Sequence, residues 1–286
     1  MSAVFDPEFR RRLEVLRQVV ARALAGRGGA GRSPLHERGG RVEFAGHRAY
    51  ASGDDVRSID WNAYARLGAY VIKEFEAPRE AQLLLLLDRS ASMEQFGKRA
   101  SMLRLAAGLG WLGLVAGARV CCATAAAATR WIAAPEHVQE LLDAIEKLPP
   151  QSVADLPGAV ERAPRGGSGR KTIVLLSDLY EGDAFARALA LVARRGATVL
   201  CAQVVAADEL RAPAHAALSL VDAESGETLD VSLDDAARAR FHAAAEGFLA
   251  DRLAVATRHG ARLVRISPGD DLVDSVAQVL LAGERR

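Results

Sequence analysis

The residues best placed to do chemistry are one aspartate and two serines at alternate positions, Asp88, Ser90 and Ser92, together with a later aspartate, Asp178. Asp88 directly follows Gln82 and five leucines, 83–87. An apolar run of that length, ended sharply by polar residues, fits a strand buried on both faces. Asp178 ends a second run of the same kind, residues 171–177 (KTIVLLS). Both carboxylates then lie just past the carboxyl ends of buried strands, the edge at which open α/β sheets bind ligands. Two carboxylates and two hydroxyls form an all-oxygen set that suits Mg²⁺ or Mn²⁺ rather than zinc. The set does not fill an octahedron, so water or a partner's carboxylate would complete it. A plainer role competes. Ser92-Met93-Glu94-Gln95 fits a capping box, in which Ser92 starts a helix instead of holding an ion.

Other chemical signatures fail on context. Gly108-x-Gly110-x-x-Gly113 matches a dinucleotide fingerprint but falls inside a helical segment, away from any strand-to-helix turn. Residues 166–172 resemble a phosphate loop with the wrong glycine spacing, and they enter a strand rather than leave one. Gly-x-Ser-x-Gly is missing, and Ser90 stands where an aspartate-nucleophile phosphatase carries its second aspartate. The 3 cysteines show no metal-binding spacing and read as small buried hydrophobes in a reducing compartment. Arg48, Asp54, Asp55, Arg57, Asp60 and Arg66 alternate in sign through a short charged segment. Arginine's forked donors suit bidentate carboxylate pairs, which favours an ion-pair network there over metal ligation or catalysis.

The elements that must position these groups follow from periodicity. Asp6-Pro7 opens a helix with Phe9, Leu13, Leu16, Val20 and Leu24 at helical spacing, closed by Gly26. Residues 26–33 form a basic, Gly-rich linker. From residue 81 onward strands and helices alternate, and a hairpin turns at Ser225-Gly226. That alternation means an α/β fold with a doubly wound, mostly parallel sheet. A strand pair is expected over 119–125 and 129–133. Three regions result: 1–33, the N-terminal helix and linker; 34–80, a charged bracing segment; and 81–286, the α/β domain. With 286 residues and a net charge of +1, the chain can bury a full core and carries no global field to draw nucleic acid or membrane. The apolar stretch 105–128 is broken by glycines and divides near Gly117 into helix and strand, so no membrane insertion is expected and a cytoplasmic protein is.

Taken together, Arg48-x-Tyr50-x-x-Gly53-Asp54-Asp55-x-Arg57-x-Ile59-Asp60-Trp61, Ala65-Arg66 and Asp88-x-Ser90-x-Ser92-Met93 resemble the bacterial family catalogued as domain of unknown function 58. Asp222-x-Glu224-x-Gly226 is similar to a later stretch of that family. The resemblance implies a von Willebrand factor A-like domain with a six-stranded, mostly parallel sheet. It also implies a metal-ion-dependent adhesion site (MIDAS) at the sheet's carboxyl edge, with Asp88, Ser90, Ser92 and Asp178 matching its ligands for Mg²⁺ or Mn²⁺. The family pattern places a threonine where Ala154 stands here, and alanine offers no oxygen. Ser152, a water or Asp155 would have to substitute. The resemblance further implies a non-enzymatic protein-interaction role: an adaptor working with a MoxR-type AAA+ ATPase and its client, docking an acidic partner residue. Two other functions are kept in view. One is a metal-dependent phosphoester hydrolase using Asp54, Asp55, Asp60, Asp88 and Asp178. The other is a metal-free scaffold, motivated by Ala154.

Overall fold

The leucine run 83–87 divides by parity, and that division organises the sheet. In the computed structural model, which describes residues 7–17, 43–51, 54–76, 81–167, 169–212, 217–223 and 225–284, Leu83, Leu85 and Leu87 enter one buried cluster while Leu84 and Leu86 enter another. Side chains alternate across a strand, so a continuous apolar run needs cover on both faces. In chain order the elements are α1 (Pro7–Leu13), β1 (Glu43–Ala49), α2 (Trp61–Leu67), β2 (Val71–Glu76), β3 (Gln82–Leu87), α3 (Lys98–Val115), β4 (Arg119–Ala123), α4 (Val138–Lys147), α5 (Leu156–Arg162), β5 (Lys171–Ser177), α6 (Gly182–Ala193), β6 (Thr198–Val204), β7 (Ala217–Val221), β8 (Thr228–Ser232), α7 (Asp235–Arg258), β9 (Arg262–Ile266) and α8 (Leu272–Glu284). They fall into two units, Ser33–Glu80 and Met1–Arg32 with Ala81–Arg286.

In the larger unit the strand order is β4-β3-β5-β6-β9, every neighbouring pair parallel. Helices α1, α3, α4 and α8 cover one face, and α5, α6 and the end of α7 cover the other. The chain leaves β3 for β4 on one side and then returns to β5 on the other. Strand order therefore reverses at β3, and in a doubly wound sheet the crevice beside that reversal is the ligand position. β7 and β8 form the expected hairpin, with Gly226 at φ +73° in its turn.

The expected sixth strand is not a strand. Residues 128–132 meet the edge strand β4 through two isolated antiparallel bridges, Ala123↔Ala128 and Val120↔Ile132, which differ in register by one residue. Thr129 supplies the reason: its hydroxyl accepts from the Cys122 N–H at 3.0 Å, a bond that a ladder would direct to a backbone carbonyl. The sheet has five strands among the described residues.

Helix α3 is buried nearly all round because the sheet and three helices pack on it. Its glycines are packing notches. A Cβ on Gly110 would lie 2.7 Å from Leu141 Cδ2, and one on Gly113 would lie 2.8 Å from Leu83 Cδ2. The helix ends at Val115, Gly117 adopts φ +82°, and β4 follows, so the apolar stretch divides as its glycines suggest. Among the described residues no helix is long and apolar enough to cross a membrane. Helix α1 belongs to this unit: Phe9 and Leu13 are buried in the same cluster as α3 and α8, and Arg12 pairs with Asp271 at 2.7 Å. Val20, Leu24 and the linker 26–33 lie outside the described residues.

In the smaller unit β1 and β2 pair antiparallel, with a bulge between Phe44 and Gly46. Asp60 caps α2 by accepting from the N–H groups of Asn62 and Ala63, and Gly68, at φ +65°, closes it.

Candidate functional site

The site begins where β3 and β5 end side by side. The Asp88 N–H donates to the Leu176 carbonyl at 2.9 Å, extending the β3–β5 ladder by one bond and setting Asp88 beside Ser177 and Asp178. Asp88 is buried, at 3 % exposure. Its Oδ1 accepts from the Ser90 N–H at 2.9 Å and its Oδ2 from the Ser177 hydroxyl at 2.6 Å. Burial raises its pKa, the charge of Asp178 raises it further, and the hydrogen bonds from Ser177 and Ser90 oppose the rise. Among the described residues no cationic side chain forms an ion pair with Asp88.

Ser90 is fully buried and Ser92 half-buried; their hydroxyl oxygens lie 3.1 Å apart. The expected capping box does not form. Ser90, in extended conformation, leads into a 3₁₀ turn over Ala91–Glu94, and Ser92 sits inside that turn with its carbonyl accepting from the Gln95 N–H. Helix α3 starts later, after Phe96 (φ +53°) and Gly97 (φ +74°). The Ser92 hydroxyl is thereby released from capping and meets Ser90 instead.

Asp178 is 1 % exposed and already holds a cation, the fully buried ammonium of Lys98. Lys98 Nζ donates to Asp178 Oδ2 at 2.9 Å and to Glu209 Oε1 at 2.5 Å, and it lies 5.1 Å from the Tyr180 ring centroid. Glu209 is braced in turn, its other oxygen accepting from the Ala206 N–H at 2.8 Å. Asp178 Oδ1 receives one long contact, from the Tyr180 N–H at 3.4 Å. Burial raises the Tyr180 phenol, with Glu209 and Asp178 adding to the effect. Arg89, 2 % exposed, donates to the Leu148 carbonyl at 2.6 Å, and the Gln151 N–H donates to the Arg89 carbonyl at 2.7 Å. These two bonds pin the loop that carries Ser152, Ala154 and Asp155 to the residue between Asp88 and Ser90. In that loop Ser152 is exposed, and Asp155 caps α5 through the Gly158 N–H at 2.9 Å.

The structure thus brings Asp88, Ser90, Ser92 and Asp178 to one edge, with Lys98, Glu209, Ser177 and Arg89 beside them. Sequence reasoning missed these last four. Ser177 precedes Asp178 as a second polar residue at a strand end, and Glu209 follows the end of β6, so both carried the same edge signal. Lys98 carried only its place as a charge opening an apolar helix. Among the described residues no group of three or more His, Cys, Asp or Glu side chains is placed to hold a metal ion.

The charged segment resolves mostly into local roles. Arg48 holds Asp54 with two 2.6 Å bonds, which, with the Ala51 N–H, lower the Asp54 pKa to about 2. Asp55 accepts from the Arg57 N–H at 2.9 Å, and Arg66 donates to the Asn62 carbonyl of its own helix. Asp60 pairs with His47 at 2.9 Å besides capping α2. Among the described residues, the arginine–aspartate pair of this segment drawn through both side chains is Arg48–Asp54.

The family model described as Protein of unknown function DUF58 matches residues 46–248. The uncharacterized protein Rv1480 of Mycobacterium tuberculosis is 31% identical over 251 residues, covering 84% of this chain and 78% of its own length, and Mb1516 of Mycobacterium bovis matches equally. YeaD of Bacillus subtilis is 40% identical over 65 residues, 23% of this chain and 16% of that protein. An aerotolerance-related membrane protein from Bacteroides fragilis has a solved structure with TM-score 0.44 and 16% identity, covering 72% of this chain and 99% of that one. For BatB from Bacteroides thetaiotaomicron the values are 0.41 and 14%, with the same coverage. Likeness that low bears on neither fold nor function here. The family model and the mycobacterial relatives, which span most of the chain, make it a member of the Protein of unknown function DUF58 family.

Proposed function

We propose that the chain is a non-enzymatic adaptor with a von Willebrand A-like domain, docking an acidic residue of a protein partner at the Asp88/Ser90/Ser92 edge. It would work in the cytoplasm with a MoxR-type AAA+ ATPase and its client. The supporting observation is the contrast between two neighbouring carboxylates. Asp178 has Lys98, whereas Asp88 is buried as deeply with hydrogen bonds but no cation among the described residues. A buried carboxylate without a cation is costly, and beside paired hydroxyls it suits a hard cation.

The donor set fits Mg²⁺, or Mn²⁺, at three groups: Asp88, Ser90 and Ser92. Asp88 Oδ1 accepts from the Ser90 N–H and Oδ2 from the Ser177 hydroxyl, and a carboxylate oxygen has room for more than one such partner. Asp178 fits less well, because Oδ2 is taken by Lys98 and only Oδ1 is lightly used. A bound ion would supply positive charge at the edge, and a partner's carboxylate would meet it there. In this proposal Asp88 and the serines orient that charge, Lys98 keeps Asp178 from competing for it, and Arg89 fixes the neighbouring loop.

Lys98 also favours a second reading, the metal-free scaffold. A resident ammonium beside Asp178, with Ala154 in the loop, describes an edge where Asp178 already meets a cation from its own chain. The hydrolase reading gains nothing from the geometry, since Asp54, Asp55 and Asp60 are each committed to local bonds. Affinity capture of a purified MoxR-type ATPase, with and without magnesium, by wild type and Asp88→Ala separates the readings. Magnesium-dependent capture lost in Asp88→Ala is expected. Equal capture in all four conditions would remove the ion-bridged version. Calorimetric titration with magnesium adds a direct readout, one site in wild type and none in Asp88→Ala; no heat in either would favour the scaffold.

A further inference from the structure

Three large apolar side chains stand exposed on the loops that frame this edge. Phe96, 56% exposed, lies between Ser92 and Lys98; Tyr180, 43% exposed, lies two residues past Asp178; Val153, 50% exposed, lies in the loop bonded to Arg89. Single exposed apolar residues are ordinary; here one stands on each of the three loops that carry or adjoin the edge residues, with Tyr180 stacked on Phe248 at 5.2 Å along one side. The backbone adds an independent observation. Among the described residues the non-glycine residues with positive φ are Phe96 (+53°) and Leu179 (+63°), and both flank this edge. A bulky side chain in the left-handed region is strained; the core holds Leu179 there, 1% exposed, whereas Phe96 adopts it in the open. At Phe96 glycine would serve the backbone better, and burial does not explain the phenyl ring.

We propose that Phe96, Val153 and Tyr180 form an apolar rim around the carboxylate-and-hydroxyl edge, and that its partner is a polypeptide loop presenting one carboxylate between large apolar side chains. This rests on the docking reading above and adds what selects among acidic partners. With the divalent ion of that reading held by Asp88, Ser90 and Ser92, the polar centre would take the partner's carboxylate and fix its orientation. The rim takes the flanking side chains, excludes water from the charged contact, and so strengthens it. Acidic segments in polar surroundings would meet the centre alone and bind weakly.

The test uses fluorescein-labelled peptides in magnesium buffer, followed by fluorescence anisotropy against the full chain. One carries a central aspartate flanked by leucines, the second replaces the leucines with serines, and the third replaces the aspartate with asparagine. The leucine-flanked aspartate peptide should bind at least tenfold more tightly than the other two. Phe96→Gly and Val153→Ser should each erase most of the advantage from leucine, while Asp88→Ala should erase the advantage of aspartate over asparagine. Thermal melting separates presentation from folding: Phe96→Gly should hold or raise Tm while binding falls. Equal binding of the leucine- and serine-flanked aspartate peptides would overturn the rim and leave the docking reading standing. Rim-dependent binding that ignores the change from aspartate to asparagine would overturn the docking reading and with it the stated partner. No binding of any peptide, or a Phe96→Gly Tm that falls with affinity, would overturn the rim.

Discussion

Lys98 is the side chain on which the site's electrostatics turn. Its ammonium opens helix α3, at the end where the helix dipole disfavours positive charge by about 0.3–1 kcal/mol. Two buried carboxylates, at 2.9 and 2.5 Å, oppose that penalty. Removing one member of a buried ion cluster strands the others, typically at about 3–5 kcal/mol, so the carboxylates decide the sign. Lys98→Met should therefore lose stability in that range by urea denaturation, despite being apolar and of similar length. Adding Asp178→Asn and Glu209→Gln to it should recover part of the loss. Asp54 gives a second prediction, on pH. Its carboxyl sits at about 2 against an ordinary 3.8, because Arg48 and the Ala51 N–H favour the anion. A depressed carboxylate contributes stability that is present above the unfolded value of about 3.8 and lost as pH falls through about 2. The Asp54 carboxyl carbon should titrate by NMR near the lower value, and Arg48→Gln should return it toward the upper one.

Among the elements, α3 shows why a literal motif can mislead. Its glycines match a nucleotide fingerprint, yet each lies against a neighbour that a methyl group would press. Helix propensity favours Gly→Ala by about 1 kcal/mol. Overpacking a well-filled core costs about 1–3 kcal/mol. At Gly110 and Gly113 the nearest atoms stand at 2.7 and 2.8 Å, so overpacking should win and both alanine variants should melt lower than wild type. Gly108, whose nearest contacts are at 3.1 Å, should suffer less. Equal or raised Tm for Gly110→Ala would show that Leu141 moves aside freely. The 3₁₀ turn over Ala91–Glu94 carries the complementary lesson. By delaying the start of α3 until Lys98, it leaves Ser92 free to meet Ser90 and lets the lysine reach Asp178.

For the larger unit as a whole, the reversal of strand order at β3 sets Asp88 and Asp178 on adjacent strand ends, and the two hydrophobic clusters hold that sheet from both faces. Helix α1 is part of this assembly although sixty-odd residues separate it from β3. The exposed Arg12–Asp271 pair is screened by water and adds little. Fully buried Leu13 carries more, since truncating a buried leucine costs about 2–5 kcal/mol. Leu13→Ala should therefore lower the denaturation midpoint of the unit, whereas Arg12→Ala should barely move it. Similar small effects from both would mean that α1 is only loosely docked.

The leucine run, the second apolar strand and the helix–strand alternation were legible because periodicity is local: an apolar run ended by Asp88 can hardly be anything but a strand buried on both faces. The grouping of Asp88, Ser90 and Ser92 was legible for the same reason, since all three lie within five residues. Tertiary structure decided what pairs with what. Lys98 and Glu209 reach Asp178 from far along the chain, and no spacing rule registers an ammonium brought in by a helix start. The sixth strand failed through one hydroxyl, that of Thr129, and the capping box gave way to a 3₁₀ turn. Charge compensation and hydrogen-bond competition are settled by which groups meet once the core has closed, whereas strand and helix patterns are written residue by residue.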